Sequence, residues 1–234
     1  FGRPGQYSTI ANTYATGEVT GHSQGDAGGL VGSVDGGTIT ASLWDTETTG
    51  QERGVGNTAD ATGKTSAELR TQETYTDAGW DFTDTWFMLD GQTRPFLRFE
   101  HSQTITNPHQ LQLMAMDLTL DYTLGADIDM QAALQASHTD TNTDRYSRMG
   151  GPKGFAPVGD FDNPFTGTFD GLGHVIEKLT IKNPVDNDGS ALDTGLFGSA
   201  EGTTFRNIGL TNVNISGSAY ANGGLLGYGD GITI

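Results

Sequence analysis

Two oxygen-rich loops are the first residues in this chain with the means to do chemistry. Asp160-Phe161-Asp162-Asn163 and Asp186-Asn187-Asp188-Gly189 set carboxylates and amides at the spacing that suits Ca2+, a hard cation that gathers roughly six to eight oxygens. Neither completes the helix-loop-helix pattern, because no Glu stands at its closing position. Asp and Asn before Gly are also ordinary turn formers. Asp140-Thr141-Asn142-Thr143-Asp144 is a weaker version of the same arrangement. Asp160, Asp162, Asp186, Asn187 and Asp188 are thus the metal-ligand candidates, with Ca2+ as the cofactor they would suit. Asp127 and Asp129 stand two apart on an expected strand and would share a face. Such a pair can act as general acid and base, hold a metal, or simply form a solvated edge.

The remaining reactive residues do not converge. His22, His101, His109, His138 and His174 are scattered, and none has the i, i+4 spacing of a helical metal pair. No serine sits in a glycine-flanked nucleophile elbow, and Lys64 in Gly63-Lys64-Thr65 lacks the rest of a phosphate loop. The chain has no cysteine, which excludes disulfides, zinc–thiolate centres and thiol nucleophiles. No catalytic or cofactor-binding residue is assigned, and the expectation is a protein that is not an enzyme.

Charge narrows the partners. With 29 acidic and 12 basic residues the formal net charge is −17. That field repels phosphate backbones and anionic lipid, so neither nucleic acid nor a bare membrane is an expected partner. No apolar run is long enough to span a bilayer.

The elements that would carry these loops are short strands in a repeat. Gly29-Leu30-Val31-Gly32 recurs as Gly195-Leu196-Phe197-Gly198 and as Gly224-Leu225-Leu226-Gly227, the last two 29 residues apart. Ile39, Phe205 and Ile234 each follow the closing glycine by seven residues. Ile10 and Ile39 are 29 apart, as are Ile176 and Phe205. The segments between these markers are β-branched runs such as Thr38-Ile39-Thr40 and His174-Val175-Ile176, bounded by Gly, Asn, Asp and Ser. Glycine is abundant, 35 of 234 residues, without the third-position rule of collagen. A period of this length made of short strands predicts an all-β solenoid, a right-handed parallel β-helix in which Leu30, Val31, Leu196, Phe197, Leu225 and Leu226 fill successive layers.

The glycine-bracketed strings, with Tyr14-Ala15-Thr16-Gly17-Glu18-Val19-Thr20-Gly21 before the first, resemble the GLUG motif of bacterial surface proteins. Trp44-Asp45-Thr46-Glu47-Thr48-Thr49-Gly50, Gly79-Trp80-Asp81-Phe82 and Phe165-Thr166-Gly167-Thr168-Phe169-Asp170-Gly171 fit the same resemblance. It implies a β-helix of the filamentous-haemagglutinin type, found in adhesins, cell-wall proteins and enzyme appendages. It carries over no catalytic residue.

The rhythm stops after Leu43. Thr65 and Glu68 have the form of a capping box before a short helix, and Trp80, Phe82, Trp86, Phe87, Phe96 and Leu97 would close the end of the solenoid. Asn107-Pro108 predicts a second helix start, running to about residue 117. A strand is expected over 122–130, a polar loop over 135–153, and coils thereafter. Residues 1–99 are thus expected to be the C-terminal coils and cap of one β-helix unit. Residues 100–234 are expected to be the N-terminal cap and first coils of the next. The chain would begin and end in mid-coil, as one period of a tandem protein or fibre.

The expected role is a structural or adhesive segment of a secreted bacterial surface protein. Neighbouring copies and surface glycans or receptors are its partners. The rival expectation is a carbohydrate-binding or carbohydrate-active β-helix, with Arg145, Arg148 and Lys153 as the basic cluster in its long loop. Thr9, Thr38, Thr40, Thr166, Thr168 and Thr233 would form a hydroxyl face if they stacked.

Overall fold

The computed structural model describes residues 8–21, 26–58, 61–131, 153–182, 184–185 and 189–234. Among these the chain is mostly short strands, with two short α-helices, Gln72–Thr76 and Pro108–Leu113. The all-β class expected from the turn-bounded runs holds. The chain divides into two compact units, Phe1–Phe82 and Thr83–Ile234. The boundary read from sequence lies after residue 99. Phe96 nonetheless sits in the core of the second unit, with Phe87 packed against it.

In the first unit, strand Thr9–Ala11 pairs parallel with Thr38–Thr40 in the register Thr9↔Thr38 and Ile10↔Ile39. Tyr14–Ala15 pairs parallel with Leu43–Asp45, which in turn pairs with Thr62–Lys64. The 29-residue spacing of Ile10 and Ile39 is therefore a true rung. Between each strand and the next stands one residue with φ near +50°: Asn12 at 52° and Ala41 at 48°. Trp44 is buried, and its indole lies so close to Gly29 and Gly54 that an added Cβ would come within 2.3 and 2.6 Å of the ring. Glycine is needed at both places for close approach. Asp45 is fully buried; its Oδ1 accepts the Glu47 and Thr48 amides and its Oδ2 accepts the Ser66 hydroxyl at 2.7 Å. The capping box is formed: the Thr65 amide donates to Glu68 Oε2 at 2.8 Å, and the Glu68 amide donates to Thr65 Oγ1 at 3.2 Å.

The second unit is built from four parallel ladders visited in the same order by successive passes of the chain. One pass runs through Phe169–Asp170, Val175–Glu177, Thr180–Lys182 and Phe197–Glu201. The next runs through Phe205–Arg206, Gly209–Thr211, Asn214–Ser216 and Leu226–Asp230, each pairing parallel with its predecessor. Tyr122–Leu124 and Ile128–Asp129 precede them in the first two ladders, and Thr104–Ile105 pairs parallel with Tyr122–Leu124 to start the first. Tyr122–Leu124 and Ile128–Asp129 were expected as one strand, but a bend at Gly125-Ala126 separates them. Phe197↔Leu226 keeps the 29-residue spacing. Ile176 does not pair with Phe205 as the spacing implied: Ile176 faces Leu210, and Phe205 faces Phe169. Extra residues in the connections lengthen this pass without disturbing its ladders.

Aromatic side chains fill the interior. Phe165, Phe169, Phe197, Phe205 and Tyr122 are fully buried, and Phe197 lies 4.7 Å from Phe205 and 4.8 Å from Phe165, ring centre to ring centre. Corners repeat the device of the first unit. Lys178 and Asn212 hold φ of 58° and 52° between the second and third ladders, and Leu172 and Asn207 hold 50° and 54° between the first and second. The sequence Ile176-x-Lys178-x-Thr180 thus has the backbone of Ile10-x-Asn12-x-Tyr14. Asn tolerates this left-handed conformation, whereas other branched or long residues are strained there.

The helix Pro108–Leu113 begins as the sequence predicts, with Asn107 Oδ1 accepting the Gln110 amide at 3.0 Å, but it gives way to a 3-10 turn at Met114–Met116. Its Gln112 is fully buried and acts as a substitute strand. Gln112 Nε2 donates to the Ala156 carbonyl and Gln112 Oε1 accepts the Ala156 amide, both at 3.0 Å.

Two substitutions follow from this geometry. Leu172 is 58 % exposed, so Leu172→Asn loses little burial and relieves the left-handed strain; we expect it to raise unfolding free energy by up to about 1 kcal/mol in a denaturant titration. Gln112→Leu leaves the Ala156 amide and carbonyl without partners and should cost about 2–4 kcal/mol in the same measurement.

Candidate functional site

The carboxylates singled out as pairs are used to tie one pass of chain to the next. Asp127 Oδ1 accepts from His174 Nδ1 at 3.1 Å and from the Val175 amide at 3.0 Å, while Asp129 Oδ2 accepts from Lys178 Nζ at 2.9 Å. Asp121 Oδ1 takes the Thr168 amide and hydroxyl, both at 2.8 Å. Asp170 takes Arg206 Nε at 2.8 Å and Asn207 Nδ2 at 3.0 Å. Hydrogen bonds from the next pass hold these carboxyls below the usual carboxylate range: the Thr168 amide at Asp121, the Val175 amide at Asp127 and Lys178 at Asp129. For Asp170 the largest cause is the Leu172 amide, followed by Asn207. Their arrangement is structural: Asp121 and Asp127 tie strand starts of successive passes together, and Asp129 and Asp170 tie strand ends.

The threonine face does not form as expected. Thr9 Oγ1 and Thr38 Oγ1 are 3.1 Å apart on one ladder. Thr166 and Thr168 instead donate to the Leu118 carbonyl and to Asp121.

Of the metal-ligand candidates, Asp186, Asn187 and Asp188 lie outside the described residues, as do the weaker loop 140–144 and Arg145 and Arg148. Asp160 and Asp162 are described. Asp160 Oδ1 accepts the Asp162 amide at 3.0 Å and the Asn163 amide at 2.8 Å, so it closes a turn on itself. Among the described residues no three His, Asp or Glu side chains gather as a metal-holding group.

The turn does stand at a groove. A depression of about 480 Å3 is bounded by Asp160, Phe161, Asp162 and Asn163 on one side and by Asp193, Ser218 and Tyr220 on another. A second depression of about 430 Å3 shares Asp160, Asn163 and Leu192 with it. A third, of about 200 Å3, shares Phe161 and continues along Tyr228, Glu201 and Asp230. Phe161 is 74 % exposed and Tyr228 44 %, their rings 6.1 Å apart, and Tyr220 is fully exposed. Among the described residues neither Lys nor Arg nor His lines any of the three depressions. Sequence reasoning singled out Asp160 and Asp162 and missed the other acids and the aromatics. The available signal was an aromatic residue inside a polar turn, Asp160-Phe161-Asp162 and Ser218-Ala219-Tyr220. What joins them is ladder register, which places Tyr228 opposite Ser199.

Beside this groove runs a part-buried hydrogen-bond chain. Tyr122 Oη donates to the Asp117 carbonyl at 2.8 Å, so His101 Nε2, 2.9 Å away, must be the donor to Tyr122 Oη. Burial pushes the Tyr122 phenol well above its ordinary range and pushes His101 below its own, with Asp117 opposing the latter shift in part.

No family model matches the chain, and no solved structure matches it. Two curated proteins are similar over part of their length. One is a putative Gly-rich membrane protein of Evansella cellulosilytica, 35 % identical over 81 residues, which is 33 % of this chain and 9 % of that protein. The other is halomucin of Haloquadratum walsbyi, 36 % identical over 101 residues, 41 % of this chain and 1 % of that protein. The chain thus matches less than a tenth of the length of either relative. Among the described residues no helix is long and apolar enough to cross a membrane.

The half-buried His101 is expected to set the first step of acid unfolding. The unfolded chain protonates His101 near its ordinary value of about 6.5 and the folded chain only at lower pH, so stability falls as pH falls through that window. The inter-pass carboxylates, shifted downward, lose their stabilising bonds only below about pH 4. Melting curves should therefore show two acid steps, and His101→Gln should remove the upper step alone.

Proposed function

We propose that this chain is a non-catalytic segment of an extracellular bacterial surface protein, serving as a stiff structural or adhesive scaffold. The parallel ladders would close into right-handed β-helices with short capping helices, carried as partial units in tandem. The observation that carries the reading is the fixed order and register of the four ladders over successive passes, with the same left-handed corner used in both units. A solenoid of this kind is extended and quasi-one-dimensional, and it suits a stalk or fibre. The resemblance to GLUG regions supports the same assignment. So do the names of the partial relatives, a Gly-rich membrane protein and a halomucin.

Charge and chemistry agree with this role. A net charge of −17 keeps such a scaffold soluble and away from phosphate and anionic lipid. The described carboxylate pairs are engaged in aligning strands, so acid–base chemistry is not their use. Neighbouring copies of the protein and surface glycans are the partners this reading implies.

An antibody raised against this chain, applied to cells of the organism that carries the gene, tests the placement. Label on intact cells that is removed by external protease is the expected result. Label that appears only after lysis would overturn the surface assignment.

A further inference from the structure

We propose that the groove of the second unit binds a neutral polysaccharide chain, with Phe161, Tyr220 and Tyr228 as stacking platforms and the flanking acids as hydroxyl acceptors. The inference deepens the adhesive reading given above and rests on the extracellular placement it assigns.

Three observations lead to this ligand class. First, a single exposed aromatic on a protein surface is ordinary, but three exposed aromatics spaced along two adjoining depressions that share Phe161 are not. They offer flat apolar faces with no chain segment on them among the described residues. A pyranose ring presents a matching face of C–H groups on one side and hydroxyls around its edge. Second, the groove is open and made of depressions that share walls, from Asp117 and Leu89 at one end, past Phe161, to Asp230 at the other. That shape fits a chain of several residues better than a compact molecule, which would be enclosed on most sides.

Third, charge selects among sugars. Asp117, Asp160, Asp162, Asp193, Glu201 and Asp230 line the depressions, with no cationic side chain among the described lining residues. Carboxylates accept strongly from sugar hydroxyls. They repel uronates, sulfated glycans and nucleic acid, which the protein's overall field repels as well. Asn163 and Ser218 add neutral donors at the same walls. A neutral hexopyranose polymer satisfies the apolar, polar and electrostatic requirements together.

The test is calorimetric titration of the full chain with maltohexaose, cellohexaose and mannohexaose, and with an oligogalacturonate as the acidic counterpart. At least one neutral hexasaccharide should bind with a Kd of about 1 mM or tighter. That binding should survive a metal chelator and high salt, because it uses neither a cation nor long-range charge. Phe161→Ala and Tyr220→Ala, both on exposed side chains, should each weaken it at least about tenfold while leaving the melting temperature unchanged. Absence of binding by every neutral hexasaccharide would overturn the proposal. So would binding that both variants retain, or binding by the oligogalacturonate alone. Surface labelling of intact cells is read independently, so loss of the glycan site and loss of the surface assignment are told apart.

Discussion

Everything in the second unit depends on keeping successive passes of the chain in parallel register. A parallel strand cannot be joined to its neighbour by a tight hairpin, so each pass visits the other ladders before it pairs again with its predecessor. A slip by one residue would turn Phe169 and Phe205 outward together with every residue that alternates with them. Register therefore has to be specified repeatedly, and the molecule does so at the corners and at the strand starts.

The corners do it with backbone conformation. A single left-handed residue two positions after the central strand residue turns the chain between ladders in both units, at Asn12, Ala41, Lys178 and Asn212. The strand starts do it with carboxylates: Asp121 and Asp127 each reach from one pass to groups at the matching point of the next. These bonds lie at the rim, where solvent weakens them, so their contribution is alignment more than energy. Apolar burial of the aromatic column supplies the driving force. The groove is a by-product of the same order, because the turn at residues 160–163 stands beside the connection that enters Leu226–Asp230, which carries Tyr220, and beside Tyr228 on that strand.

Much of this was legible in the residues. The 29-residue spacing located the Ile10 and Ile39 rung and the Phe197 and Leu226 rung. The capping box at Thr65 and Glu68 and the Asn107 cap are read from local chemistry and are present. Where connections vary in length, a fixed period misleads, and Ile176 was matched to the wrong partner. Ala41, Leu172 and Lys178 carry no sequence mark of a left-handed corner, since Asn alone among the corner residues is typical there. Gln112 is a polar residue whose burial depends on meeting Ala156, which lies far along the chain. Asp160 and Asp162 of the groove were visible as turn residues. Its aromatic walls come from two turns and a strand that are far apart in the chain, so the local signal at Phe161 and Tyr220 does not show that they meet Tyr228.

Inter-strand cross-linking tests the register directly, because the chain contains no cysteine of its own. Glu177 and Thr211 face each other across adjacent parallel strands, with the Thr211 hydroxyl donating to Glu177 Oε1 at 3.2 Å. Neighbouring strands stand about 4.8 Å apart, within the Cα separation that a disulfide accepts. The double variant Glu177→Cys/Thr211→Cys should oxidise readily without loss of stability, and the displaced pair Val175→Cys/Thr211→Cys should not. Equal or faster closure of the displaced pair would contradict the parallel ladders on which the account rests.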